Sequence, residues 1–99
     1  MDFAYSPRTA ELAEKLEAFM TEHVYPAEAV YDRQIAANDN SHEQPQVMRD
    51  LQKTAREQGL WNLFMAHGDL GAGLTNLEYA PLAEIVGRSL IGNEAINCS

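Results

Sequence analysis

Residues 59 to 88 constrain this chain more than any other stretch. They open as Gly59-Leu60-Trp61-Asn62-Leu63-Phe64, pass through a glycine-punctuated turn ending Gly71-Ala72-Gly73-Leu74-Thr75, and continue as Asn76-Leu77-Glu78-Tyr79-Ala80-Pro81-Leu82-Ala83-Glu84-Ile85-Val86-Gly87-Arg88. Read physically, this is a helix stop, a short apolar run, a tight turn and a second helix. Leu60-Trp61-Asn62-Leu63-Phe64-Met65 is too short and too apolar for an exposed helix, and a strand there would have no partner. An extended segment packed against helices, with Trp61 as its anchor, is expected. Gly68, Gly71 and Gly73 allow backbone angles that side chains forbid, and Thr75 with Glu78 forms a capping box for the helix that follows. In that helix Leu74, Leu77 and Ile85 share one face while Tyr79, Leu82, Val86 and Leu90 share an adjacent one. So wide an apolar surface places the helix in a core, with Glu84 and Arg88 on its narrow polar side and Pro81 bending its first turns.

The residues ahead of this stretch read as two more helices. Ser6-Pro7 is a helix start, and Leu12, Leu16, Phe19, His23 and Ala27 then recur at helical spacing, with Met20 and Val24 widening the stripe. Pro26 removes the amide bond to Glu22 and clashes with that carbonyl, yet the stripe continues through Val30 and Tyr31 to Ile35. A kinked helix over residues 7 to 36 is predicted, with Glu11, Glu14, Lys15 and Glu22 on its solvated side. Asn38-Asp39-Asn40-Ser41 has the chemistry of a turn and joins this helix to the next. The second helix begins at Pro45 and runs over 45 to 58, with a Ser41 start capped through Gln44 as the alternative. Val47, Met48, Leu51 and Ala55 form its inner face, and Gly59 follows where a left-handed residue closes a helix. Gly92-Asn93 caps a fourth helix that is cut short. The expected fold is all-α, a single domain over 1–99: a bundle of three helices plus a truncated fourth, with no sheet.

Composition narrows the functional classes. Ninety-nine residues support one core at most. Fifteen acidic against seven basic residues give a net charge of −8, a field that repels phosphate backbones and anionic lipid. Nucleic acid and membrane are therefore excluded as expected partners, and with no apolar run near the roughly 20 residues of a span and no signal-like start, a cytoplasmic protein is expected. Cys98 is the single cysteine, so an internal disulfide and a cysteine-based zinc site are ruled out.

No complete catalytic constellation is legible. His23, His42 and His67 lie on three different elements without the convergent spacing a metal needs, so no metal site is assigned. His67-Gly68-Asp69 has no nucleophile beside it and reads as loop polarity. Gly68-Asp69-Leu70-Gly71-Ala72-Gly73 precedes a helix as phosphate cradles do, but lacks a Walker lysine and the strand of a dinucleotide site; it reads as a backbone turn. Glu78 is assigned to capping by its distance from Thr75.

Gly59-Leu60, the turn Gly71-Ala72-Gly73-Leu74-Thr75 and Glu84 at the end of a buried helix resemble the first helical domain of acyl-CoA dehydrogenases. Residues 73 to 89, with Asn97-Cys98-Ser99, are similar to the subgroup that includes the tenth and eleventh human members; the chain departs from the family at Met65-Ala66, where a proline usually follows the apolar run. The resemblance implies a much longer parent enzyme, a homo-oligomer that desaturates an acyl-CoA thioester between its α and β carbons in fatty acid metabolism. It implies FAD bound between the parent's middle and last domains and a catalytic glutamate in the last domain, with no catalytic, cofactor-binding or metal residue in this chain and no cofactor expected for it alone. The positions matching the acyl-cavity wall are Ile96, Asn97 and Cys98. The remaining domains are expected to cover an apolar face of this piece, so that the chain by itself self-associates or is marginally stable. A stand-alone helical interaction module without redox activity is the alternative.

Overall fold

Ser6 and Pro7 start the first helix as their chemistry dictates. Ser6 is extended (φ −60°, ψ 157°) and its Oγ accepts from the Thr9 amide at 3.1 Å, while Pro7 takes the first helical position, where no amide is needed. The computed structural model describes residues 6–38, 43–63 and 76–97, without the side chains of residues 76–79. These contain α1 (Pro7–Phe19), a π-helical segment (Met20–Val24), α2 (Tyr25–Ala37), α3 (Gln46–Glu57), α4 (Asn76–Val86) and α5 (Gly92–Ala95). The first three run on without a break as one helical rod, so the expected order of three long helices and a short fourth holds. No strand occurs among the described residues.

Within the rod, Pro26 is accommodated by a wider turn just ahead of it. The Tyr25 amide reaches back five residues to the Met20 carbonyl, where a regular α-helix would pair it four residues back. That widening moves the Glu22 carbonyl out of the α-helical register in which the proline ring would strike it. The single kinked helix expected over 7 to 36 is thus present as an α–π–α rod over 7 to 37.

α3 packs on α2, α4 on α1, and α5 on α3 and the π segment. The core lies where they meet. Leu16, Phe19, Met20 and Val24 come from the rod, Met48, Leu51 and Ala55 from α3, Leu82, Ile85 and Val86 from α4, and Ile91, Ala95 and Ile96 from the last segment. The residues from the rod, α3 and α4 are among those the helical spacing predicts; Ile91, Ala95 and Ile96 are additions, Leu12, His23, Val30, Tyr31 and Val47 are only half-buried, and two predicted core residues are exposed. Ile35 is 47% exposed, because its neighbour Gln34 is the residue turned toward α3. Leu90 is fully exposed, because α4 stops at Val86 and helical spacing no longer governs the turns that follow.

α3 is bounded by local chemistry at its C-terminus and by a distant residue at its N-terminus. Gly59 adopts φ +76°, and the Leu60 amide bonds to the Ala55 carbonyl at 2.8 Å while the Gly59 amide bonds to the Arg56 carbonyl at 3.2 Å. That pair of bonds is a Schellman closure, with Leu60 and Ala55 both fully buried beside it. At the other end Pro45 offers no capping side chain, and the Gln34 Oε1 of α2 accepts from the Val47 amide at 2.9 Å instead.

Residues 60–63 form a turn where an extended run was expected. The Leu63 amide bonds to the Leu60 carbonyl at 3.2 Å, and Asn62, third in the turn, is left-handed at φ 59°. Asparagine is one of the few residues that tolerates that position. Leu60 and Leu63 point into the core, whereas Trp61 is only half-buried, with the Arg56 guanidinium 4.1 Å above its ring. Trp61 is therefore a cover over the end of α3 and not the anchor. The fourth helix begins at Gly92 with Ile91 as its cap, so Asn93 lies inside it. A Cβ on Gly92 would collide with the Val86 carbonyl oxygen, which is why no side chain is accommodated there. The glycine turn, the Thr75–Glu78 capping box and a Ser41 start fall outside the described residues or side chains.

Candidate wall residues at the end of α5

α5 is only four residues long, too short to hold itself, so its position is set by bonds to other elements. Glu94 is the centre of these. One carboxylate oxygen accepts from the Tyr31 hydroxyl of α2 at 3.4 Å, the other from the Gln44 amide at 2.9 Å, and the Glu94 carbonyl accepts from the Gln52 amide of α3 at 3.0 Å. Partial burial, the nearby Glu94 charge with its hydrogen bond, and Asp32 all raise the Tyr31 hydroxyl above its ordinary value. Ahead of α5, the buried Ser89 donates to Glu28 Oε2 at 2.9 Å and accepts from the Ile91 amide at 3.3 Å.

Of the three candidate wall positions, two lie among the described residues. Ile96 is fully buried in the core, and its carbonyl accepts from the Asn62 amide at 2.9 Å. Asn97 is exposed and left-handed at φ 61°, and its Nδ2 donates to Asn62 Oδ1 at 2.5 Å. Two left-handed asparagines, 35 residues apart, are thus joined side chain to side chain, while the Asn62 main chain holds the neighbouring Ile96 carbonyl. Cys98 lies outside the described residues. Sequence reading names Asn97 and misses Asn62; the signal it offers is an asparagine just past a glycine helix stop.

Open grooves flank the bundle among the described residues. One of about 310 Å³ runs between α1 and α4 and is lined by Glu14, Glu17, Glu84 and Arg88 among smaller residues. Arg88 lies 3.6 Å from Glu17 and 3.8 Å from Glu84, exposed pairs of small energetic weight. Another, of about 240 Å³, lies between the rod and α3 beside Glu22, His23, Asp50 and Thr54. There the half-buried His23 ring packs on Phe19 with centroids 5.7 Å apart, and its Nε2 is 3.5 Å from the Gln58 amide. Among the described residues no three His, Cys, Asp or Glu side chains converge as a metal site. His42 and His67 are outside them, and no helix among them is long and apolar enough to cross a membrane.

No family model matches the chain. Individual proteins do. It is 48% identical, over its whole length, to the probable acyl-CoA dehydrogenase FadE2 of Mycobacterium tuberculosis, covering 24% of that protein. It is 41% identical over 95% of its length to mouse acyl-CoA dehydrogenase family member 10, covering 9% of it, and 36% identical over 97% to rat family member 11, covering 12%. The solved structure of a "putative acyl-CoA dehydrogenase" from Mycobacterium abscessus superposes with a TM-score of 0.80 at 39% identity, over 97% of this chain and 26% of that one. The chain therefore spans about a quarter or less of the relatives it matches. Likeness that runs the length of the chain in both sequence and fold, and that reaches family members 10 and 11, makes this chain a member of the acyl-CoA dehydrogenase family that matches only a short stretch of those proteins.

Proposed function

We propose that residues 1–99 serve as the first helical domain of an FAD-dependent acyl-CoA dehydrogenase, which desaturates an acyl-CoA thioester between its α and β carbons. The observation that carries this reading is 48% identity to a probable acyl-CoA dehydrogenase along the entire chain. In this reading the chain packs the enzyme, lines part of the acyl cavity and has no activity alone. The longer enzyme is a cytoplasmic homo-oligomer acting in fatty acid metabolism.

The described residues do not fit FAD. The groove between α1 and α4, about 310 Å³, carries Glu14, Glu17 and Glu84, whose carboxylates repel a pyrophosphate, and its one arginine is already engaged by two of them. In this reading the flavin and the anionic CoA head belong to the rest of the enzyme. What this chain contributes is shape at the end of α5. Asn97 presents an exposed side chain there, the buried Ile96 backs it, and Cys98 follows.

The test is Asn97→Trp in the full-length enzyme. A bulky ring in the wall is expected to lower kcat/KM for a long-chain acyl-CoA more than for a short-chain one, with flavin content unchanged. Equal loss for both, or no loss, contradicts the wall assignment.

A further inference from the structure

We infer that Asn62 is a positioning residue for this wall, fixing from the α3 side the direction in which the chain leaves α5. The inference rests on the proposed role of Asn97 in the acyl cavity and adds a specificity determinant 35 residues away from it.

α5 cannot set its own course. It spans four residues, its cap Ile91 makes no side-chain bond, and its last carbonyls must be held from outside. The α3 side supplies that hold at two points. Gln52 takes the Glu94 carbonyl at 3.0 Å, and the Asn62 amide takes the Ile96 carbonyl at 2.9 Å. Asn62 then makes a third bond through its side chain: its Oδ1 receives the Asn97 amide at 2.5 Å while its own backbone is left-handed.

Asn62 itself is firmly seated. It follows the Schellman closure of α3 and lies between Leu60 and Leu63, 0% and 2% exposed. A left-handed residue redirects the chain sharply, so Asn97 at φ 61° sets where its own side chain goes. The bond to Asn62 ties that redirection to α3. Loss of the bond leaves Asn97 free to choose other backbone angles, and a cavity wall whose position varies discriminates acyl chains less sharply.

Substitutions at Asn62 separate backbone from side chain. In the full-length enzyme, Asn62→Gly keeps the left-handed turn and deletes the acceptor, whereas Asn62→Asp keeps an acceptor oxygen. The readout is the ratio of kcat/KM for a long-chain to a short-chain acyl-CoA, with flavin content and melting temperature measured in parallel. Asn62→Gly is expected to change that ratio by about three- to tenfold, as the loss of one hydrogen bond would, and Asn62→Asp to restore most of it. A uniform fall in kcat with an unchanged ratio, or equal effects of Gly and Asp, overturns the proposal. So does an unchanged ratio in Asn62→Gly when Asn97→Trp shifts it, a result that leaves the wall reading intact. An unchanged ratio in all three variants removes both.

Discussion

The Gln34 side chain of α2 caps α3: its Oε1 accepts the Val47 amide at 2.9 Å, thirteen residues further along the chain. Pro45 stands where a serine or aspartate would normally cap, and it has no side-chain oxygen to offer. The cap thus comes from a neighbouring helix, and it joins the rod to α3 near an intervening stretch of turn-forming residues. Gln34→Ala is expected to destabilise the chain by about 1 kcal/mol, the usual weight of a lost N-cap. Gln34→Glu retains an acceptor at a helix N-terminus and should lose little. Urea denaturation of the three proteins checks both.

Gly59 and Gly92 are both intolerant of a side chain, for different reasons. At Gly92 a Cβ would run into the Val86 backbone oxygen, so Gly92→Ala forces α4 and α5 apart and is expected to cost about 3 kcal/mol. At Gly59 the space is open, with only the flexible Lys15 Nζ at 3.9 Å, but φ is +76°. Gly59→Ala should therefore cost about 1–2 kcal/mol from backbone conformation alone, and Gly59→Asn less. Equal denaturation midpoints for Gly92→Ala and Gly59→Asn would refute this ordering.

Stability should decline at alkaline pH through Tyr31. Burial and the Glu94 carboxylate hold its hydroxyl protonated to higher pH in the folded chain than in the unfolded one. The folded state then binds more protons than the unfolded state between the two values, so this contribution is complete below about pH 10 and is lost as pH rises through the folded value. Tyr31→Phe should flatten the alkaline limb of melting temperature against pH. An identical limb in the two proteins would remove Tyr31 from the account.

Leu90 is fully exposed beside the Ser89–Glu28 bond. Leu90→Ser should leave unfolding free energy within about 0.5 kcal/mol of the unsubstituted chain. It should also reduce binding of an apolar-surface dye and any self-association, measured by fluorescence and by sedimentation. A marked loss of stability would place Leu90 in a core after all.

What sequence reveals and what it misses follow one physical division. Helix starts and stops written in local chemistry are legible: Ser6-Pro7, Pro45 and Gly59 fall at or beside the observed boundaries. So is the core, because Leu16, Met48, Leu51, Leu82 and Val86 recur at helical spacing. The π segment is not, since Pro26 announces a conflict without stating whether the helix bends, breaks or widens. Trp61 misleads because its size suggests an anchor, whereas the turn at Asn62 sends the two flanking leucines inward. At the candidate site, Asn97 is reached through family resemblance, but its partner is invisible: nothing local to Asn62 says that it meets a residue 35 positions later.

The most direct measurement of the central claim is the absorbance spectrum of the longer protein that carries these residues, compared with that of the 99-residue chain alone. The longer protein is expected to show a flavin spectrum that bleaches when acyl-CoA is added without oxygen, and the chain alone to show no flavin. A longer protein without flavin, or one whose flavin acyl-CoA leaves unchanged across chain lengths, would contradict the assignment.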